Sequence, residues 1–145
     1  MILSTNIIKR SKPIILFLLL LPSIIWGLTF LQGNLGINPI DKLMDEFGKM
    51  ALRLIIVTLI ISSLSQYRFL RSLQNIRRMI GLTAFYYVIC HFLTYIILDH
   101  FFNWKFILKD IVKRPFITFG FINFILLLPL VFTSTNAMLK KLTFN

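Results

Sequence analysis

The composition of this 145-residue chain is that of a protein whose surface faces lipid. Hydrophobic residues make up 57% of it, charged residues make up 14%, and the mean hydropathy is +0.82. A soluble domain of this length is usually near a quarter charged, because it needs a wetted surface. Composition therefore excludes a water-soluble globular domain and predicts an all-α integral membrane protein, a bundle of about four transmembrane helices with two amphipathic interfacial helices.

The net charge of +11 does not indicate a nucleic-acid-binding protein. The basic residues flank apolar stretches instead of forming one continuous patch. We therefore expect the lipid bilayer as a partner, and no nucleic acid.

Four uncharged stretches predict the spans. They are 28, 14, 20 and 25 residues long, and a crossing helix needs roughly 20 mainly apolar residues. The 14-residue stretch counts as a span because Arg53 and Arg68 can extend toward the headgroups from its ends. Spans in lipid must be helical, since their backbone amides need internal partners. The predicted spans are 13–31, 50–64, 79–98 and 116–132, in a single transmembrane domain of residues 1–145.

The first span follows three basic residues, as the apolar core of a signal peptide would. No small-residue cleavage site follows the apolar run 14–22 that opens this span, because the next residues are Ser23-Ile24-Ile25-Trp26. This favours a retained membrane anchor.

An amphipathic surface helix is predicted to lead into the second span. Asn38 and Pro39 are typical of an N-cap and a first helical position. The apolar residues that follow share one helical face: Ile40, Leu43, Met44, Phe47 and Ala51.

Residues 101–114 predict a second interfacial helix, which Pro115 ends. One side carries Trp104, Ile107, Leu108 and Ile111, and another carries Lys105, Lys109 and Lys113. The fourth span and a short basic tail complete the chain.

Lysine and arginine counts favour an N-in, C-in orientation. With a cytoplasmic N-terminus, nine of the 16 basic residues lie inside and seven outside. All five acidic residues then fall outside.

One ionisable side chain lies deep in a predicted span, and such groups are candidates for function because they are costly in lipid. It is His91, in the third span. Tyr87 and Tyr95 lie four residues to either side of it, with Ala84 and Thr94 nearby, so that they form one polar stripe that we expect to face the bundle interior. We expect four residues on the opposite side: Leu82, Phe85, Ile89 and Ile96.

The residues alone leave three uses of His91 open. A neutral imidazole can hydrogen-bond a hydroxyl or carbonyl of a neighbouring helix. It can ligate a haem iron, for which an apolar bundle is suitable. It can also belong to a proton relay or ion site, which the lack of carboxylates within the spans disfavours.

Other candidates have simpler interpretations. His100 lies roughly 180° around the same helix, so a solvated interfacial role is expected. Cys90 is expected to be an inert buried thiol. Arg77 and Arg78 are typical of a cytoplasmic anchor, and their alternative role is to bind a cofactor phosphate. The methionines near the span boundaries (Met44, Met50, Met79 and Met138) are expected to fill space.

Six short patterns occur in an order that resembles a known family. They are Gly33-x-x-Gly36-x-x-Pro39, Phe47-Gly48-x-x-Ala51-Leu52, Ile76-Arg77-Arg78-x-x-Gly81-Leu82, His91-x-x-Thr94-Tyr95, Lys113-Arg114-Pro115-Phe116-Ile117-Thr118-x-Gly120, and Thr133-Ser134-Thr135-x-x-Met138-x-Lys140-Lys141-Leu142. Over residues 33–142 the chain resembles the MsrQ (YedZ-like) haem-binding membrane subunits, which belong with the ferric-reductase-like transmembrane proteins.

The resemblance implies electron transfer in the bacterial inner (cytoplasmic) membrane by a multi-pass subunit. Family members take electrons from quinone, pass them through b-type haem (haem b) with flavin mononucleotide (FMN), and deliver them to a periplasmic molybdenum-containing methionine sulfoxide reductase subunit. It implies that His91 is an axial haem ligand, and Tyr87, Tyr95, Arg77 and Arg78 are candidates for cofactor contact. The chain itself is then an electron-transfer subunit and not the catalytic reductase.

Members of this family continue past the pattern at Lys140-Lys141-Leu142 into further histidine-bearing helices. The resemblance therefore predicts a C-terminally truncated member that lacks the partner haem ligands. The alternatives are a cofactor-free four-helix structural or assembly subunit, in which His91 only packs, and a small transporter component.

Overall fold

The computed structural model of the chain describes residues 5–67 and 73–133, and all regular structure in this part is helical. Five α-helices and one π-helical segment follow in order: α1 (Thr5–Leu31), α2 (Pro39–Leu64), α3 (Gln74–Leu93), the π segment (Thr94–Asp99), α4 (Trp104–Lys113) and α5 (Pro115–Thr133). The predicted all-α class is confirmed. The predicted basic tail, and Arg68 in the connector before α3, lie outside the described residues.

Four helical stretches in the described residues are long and apolar enough to cross a membrane. They are Arg10–Leu31, Pro39–Leu64, Ile76–Asp99 and Pro115–Phe132. The amphipathic segment before the second predicted span is the first part of α2, and the two form one continuous helix. Pro39 takes the first helical position, but the Asn38 side chain makes no capping hydrogen bond.

Two glycines shape the turn between α1 and α2. Gly33 has φ +71° and Gly36 has φ +100°, a region that residues with a Cβ rarely adopt. The amide of Asn34 donates to the carbonyl of Thr29 at 3.0 Å across Gly33. This is the hydrogen bond of a glycine-terminated helix end, and it gives a physical reason for the first of the six patterns.

The chain divides into two compact units, Met1–Thr94 and Tyr95–Asn145. In the first unit α3 packs along α2 and also contacts α1. The buried side chains of α2 lie on one face, which explains why it pairs with α3: Leu43, Phe47, Ala51, Leu54 and Ile61. Five residues were predicted to share the apolar face of α2. Of these, Leu43, Phe47 and Ala51 are buried, and Ile40 and Met44 are half-buried.

Tyr87 of α3 is at the centre of the first unit, with 0% of its surface exposed. Its ring lies 6.3 Å from that of Trp26 on α1 and 6.1 Å from that of Phe47 on α2, between ring centres. Aromatic rings in such tilted arrangements attract one another beyond the area that they bury. Tyr87 therefore joins all three helices of this unit.

The hydroxyl group of Tyr87 also stabilises the backbone of α1. Pro22 lies inside α1 and has no amide hydrogen, so the helical hydrogen-bond ladder is interrupted there. The Tyr87 hydroxyl donates to the carbonyl of Leu19 at 2.6 Å, and the Ser23 hydroxyl donates to that of Leu20 at 2.7 Å. Both bonds reach carbonyl groups in the turn before the proline, next to that of Leu18, whose helical donor Pro22 removes.

In the second unit, a sharp turn precedes α4. Phe101 and Phe102 have φ of +45° and +59°, which is costly for residues with a Cβ. Ile107 is buried, whereas Trp104 and Leu108 are 60% and 63% exposed. The expected apolar face of this helix is therefore partly open in the structure, with Ile107 buried and Ile111 half-buried.

Candidate functional site

His91 lies near the end of α3, with its ring half-buried against α2. Its Nδ1 atom is 2.7 Å from the backbone carbonyl oxygen of Met44. The ring thus reaches the neighbouring helix backbone and not a side chain. The contact joins α2 and α3 within the first unit.

The approach of the ring requires a glycine on α2. A Cβ placed at Gly48 would lie 3.0 Å from Nδ1 and 3.2 Å from Cε1 of His91, which is closer than ordinary van der Waals contact. Gly48 follows Met44 by one helical turn, so both residues face α3 at the same place. The surface of α2 therefore has a recess that the imidazole occupies.

The Met44 contact decides which ring nitrogen carries the hydrogen. A carbonyl oxygen can only accept, so Nδ1 must be the donor. In the neutral ring, Nε2 then keeps its lone pair. A histidine held in this way presents Nε2 as a base or a metal ligand.

Three members of the predicted polar stripe are buried, whereas His91 and Tyr95 are half-buried. Ala84 is 2% exposed, Tyr87 is fully buried and Thr94 is 5% exposed, whereas Leu82 on the opposite side is 39% exposed. Ile96 was expected on that opposite side, and this is wrong, because it is 8% exposed. It lies in the π segment, where the wider turn shifts the helical faces.

Arg77 and Arg78 lie near the start of α3, whereas His91 lies near its end. Arg77 is exposed and Arg78 is half-buried. At ~1.5 Å per residue, about 20 Å of helix separates them from the imidazole. The structure therefore brings Tyr87 within one turn of His91 but does not bring the two arginines to it.

Tyr95 belongs to the second unit, where its ring lies 4.4 Å from that of His100 between centres. His100 Nε2 is 3.2 Å from Asp110 Oδ2, and Nδ1 is 2.9 Å from Asp99 Oδ2. The Asp110 contact has hydrogen-bond geometry and the Asp99 contact does not. With 13% of its side chain exposed, His100 is not the solvated residue that its position on the helix predicted.

Sequence reasoning missed the two groups that hold His91. Met44 was considered for its sulfur, but the structure uses its backbone carbonyl. Gly48 was noted only as part of a pattern. A glycine inside a helix is less favourable than alanine by about 1 kcal/mol, so its presence in α2 was the available signal of a close approach.

A comparison with known families matches residues 47–145 to the ferric reductase like transmembrane component. This match covers about two thirds of the chain and includes Gly48, Tyr87 and His91. The chain belongs to this family.

Three relatives that share one name match a longer part of the chain than the family comparison does. The protein-methionine-sulfoxide reductase heme-binding subunit MsrQ of Caulobacter vibrioides is 47% identical over 110 residues, which are 76% of this chain and 52% of the relative. The MsrQ subunit of Herminiimonas arsenicoxydans is 44% identical over 131 residues (90% and 60%). That of Azospira oryzae is 40% identical over 135 residues (93% and 58%).

The chain is thus a homologue of the MsrQ subunits and spans about half the length, or slightly more, of these curated relatives. The family resemblance seen in the six sequence patterns is confirmed. No solved structure matches the chain.

Proposed function

We propose that this chain is a haem-binding membrane subunit that transfers electrons, with His91 as an axial ligand of a b-type haem. The observation that carries the proposal is the hydrogen bond from His91 Nδ1 to the Met44 carbonyl, which in the neutral ring leaves the Nε2 lone pair for a metal. Membership of the ferric-reductase-like family and the printed description of the MsrQ relatives as heme-binding support it.

The residues around His91 suit such a group. An axial histidine usually donates its other N–H to a carbonyl or carboxylate, which fixes the ring and makes the ligating nitrogen more basic. The Met44 carbonyl supplies that acceptor, and Gly48 allows it to come close enough. Tyr87, one turn earlier, is fixed by contacts with α1 and α2 and so keeps this part of α3 in place.

When bound, a b-type haem supplies a one-electron iron couple that the protein tunes through its ligands and surroundings. The chain contributes the imidazole, the acceptor that orients it, and an apolar helical setting that excludes water. His91 of α3 is the one residue that we propose as a haem ligand.

The proposed partners follow from the relatives. Their printed name refers to protein-methionine-sulfoxide reductase, so we assign the chain to the electron supply of a periplasmic molybdenum-containing reductase of that kind. Quinone is the proposed electron source. The proposed location is the bacterial inner membrane, with both ends of the chain inside and with spans at 13–31, 50–64, 79–98 and 116–132.

FMN is the second proposed cofactor. A flavin phosphate needs cationic donors, and Arg77 and Arg78 place two guanidinium groups near the start of α3. These residues lie about 20 Å of helix away from His91. The proposed flavin contact and the proposed haem ligand are therefore at different positions along α3. Tyr95 packs against His100 in the second unit and is not assigned to either cofactor.

One observation favours a second candidate function, that of a cofactor-free structural or assembly subunit. The His91–Met44 hydrogen bond links α2 to α3, and such a link stabilises a helix pair without any cofactor. In that case Nε2 would never meet a metal.

Absorption spectra of the chain purified in detergent with added haem distinguish the two functions. We expect a Soret band for the unaltered chain, and its loss in His91→Ala. Cys90→Ala is the matched control, because Cys90 is the half-buried neighbour of His91 in the same turn.

Imidazole added to the haem-loaded chain would supply a second nitrogen ligand, so the spectrum should become that of a low-spin haem, with α and β bands on reduction. A spectrum that is the same in His91→Ala and in the unaltered chain would contradict the proposal. A correctly inserted chain that takes up no haem with or without imidazole would favour the structural role.

A further inference from the structure

Two glycines lie at the contact between α2 and α3, and they differ in what faces them. A Cβ at Gly48 would meet the His91 ring at 3.0 Å, whereas a Cβ at Gly81 would meet Thr58 Cγ2 at 3.6 Å, an ordinary contact. Only the first therefore needs to be glycine for the neighbouring side chain to stay in place.

We propose that Gly48 is a positioning residue that sets the tautomer of the haem ligand. Because it has no side chain, the α2 backbone lies against the imidazole and the Met44 carbonyl can accept the Nδ1–H hydrogen. Nε2 is then the nitrogen that remains for iron. The inference rests on the proposed function for the haem, but the tautomer that it predicts does not depend on haem.

The geometry explains why a small change at residue 48 should matter. Within α2 the Met44 carbonyl accepts the amide of residue 48, and the imidazole uses the other lone pair of the same oxygen. An added methyl group would force the ring away by a few tenths of an ångström. The Nδ1–H hydrogen bond would lengthen, and the preference for this tautomer would weaken.

The first test is nuclear magnetic resonance of the detergent-solubilised chain without haem, labelled only at histidine. The chain has two histidines, so His91→Ala assigns both rings. We expect the unaltered chain to hold His91 in the Nδ1–H form. In Gly48→Ala the ratio should shift toward the Nε2–H form by about fivefold, as loss of one hydrogen bond predicts.

The second test measures haem affinity and reduction potential. A weakened Nδ1–H hydrogen bond makes Nε2 a poorer donor to the ferric iron, so the potential should rise in Gly48→Ala. Affinity should fall about 10- to 100-fold, as for other groups that orient a metal ligand. Gly81→Ala is the control at the same helix contact, and it should leave both quantities unchanged.

A loss of helix stability in Gly48→Ala would not account for the expected changes. Alanine is the better helix former, so Gly48→Ala strengthens α2 locally, and the double variant Gly48→Ala/His91→Ala has no ring to collide with. An unchanged tautomer ratio in Gly48→Ala, or an equal shift in Gly81→Ala, would overturn the inference. A shifted ratio in a chain that never takes up haem would instead refute the proposed function and leave the ring-positioning role of Gly48 intact.

Discussion

The two histidines of this chain have different kinds of partners. His91, in the first unit, directs one nitrogen at a neutral backbone carbonyl 2.7 Å away. His100, in the second unit, has a carboxylate oxygen within 3.2 Å of each nitrogen. The carbonyl selects one tautomer of a neutral ring at His91. His100 instead makes a hydrogen bond with the Asp110 carboxylate and lies close to that of Asp99 without hydrogen-bond geometry.

This difference shows that position in a helix does not define the role of a histidine. Both residues were assigned from the sequence by helical geometry, one as buried and one as solvated. In the structure both histidines are half-buried, and their hydrogen-bond partners distinguish them. The acceptor of His91 is a backbone carbonyl on the neighbouring helix, whereas that of His100 is a carboxylate that also lies 3.8 Å from Arg114.

The largest expected effect separates the two histidines by haem binding. We expect His91→Gly to lose the haem spectrum and added imidazole to restore it, because the deleted side chain leaves a space for the free ligand. His100→Gly should keep the spectrum, since its ring is held by Asp99 and Asp110. Equal loss in both variants, measured by Soret absorbance per protein, would remove the contrast.

The next largest effect concerns the support of α3 beside His91. Tyr87→Ala removes a fully buried ring and should lower the free energy of unfolding in mixed detergent by about 3–5 kcal/mol. Tyr87→Phe loses only the hydrogen bond to Leu19 and should cost about 1 kcal/mol. The neighbour Tyr86 is 41% exposed, so a Tyr86→Ala change as costly as Tyr87→Ala would contradict this ranking.

A smaller effect tests the cluster in the second unit. Asp110→Asn keeps the shape of the side chain but removes the charge that faces His100 and, at 3.8 Å, Arg114. Loss of a charge-assisted hydrogen bond should destabilise α4 by about 1–2 kcal/mol, seen as faster amide hydrogen exchange there. Asp41→Asn, at an exposed residue of α2, is the control, and equal exchange in both variants would show that the cluster contributes nothing.

The smallest effect is expected at an exposed ion pair. Lys49 Nζ lies 2.6 Å from Asp45, but more than half of each side chain is exposed. Solvent screening and side-chain entropy leave such pairs with little net value, so Lys49→Gln should leave unfolding and haem spectra unchanged. A loss of stability as large as that in Asp110→Asn would show that the more exposed ion pair contributes as much as the less exposed one.

Much of the fold could be predicted because lipid imposes simple rules. Span length, charge placement and the requirement for internal hydrogen bonds identified four helical stretches and the face of α3 that carries Ala84 and Tyr87. The link between Met44 and His91 could not be predicted, because it depends on how two helices pair 47 residues apart in sequence. The prediction that Ile96 lies opposite the stripe was wrong because no local sequence pattern indicated the π segment.

The proline in α1 has a consequence for how the membrane bundle assembles. Pro22 removes one backbone hydrogen bond from α1, and in the same turn the Leu19 carbonyl accepts a hydrogen bond from Tyr87, 68 residues later in the chain. That bond can form only after α3 has entered the bilayer, so this contribution to the stability of α1 depends on α3. If helices insert first and associate afterwards, as is general for membrane proteins, this bond belongs to the association stage.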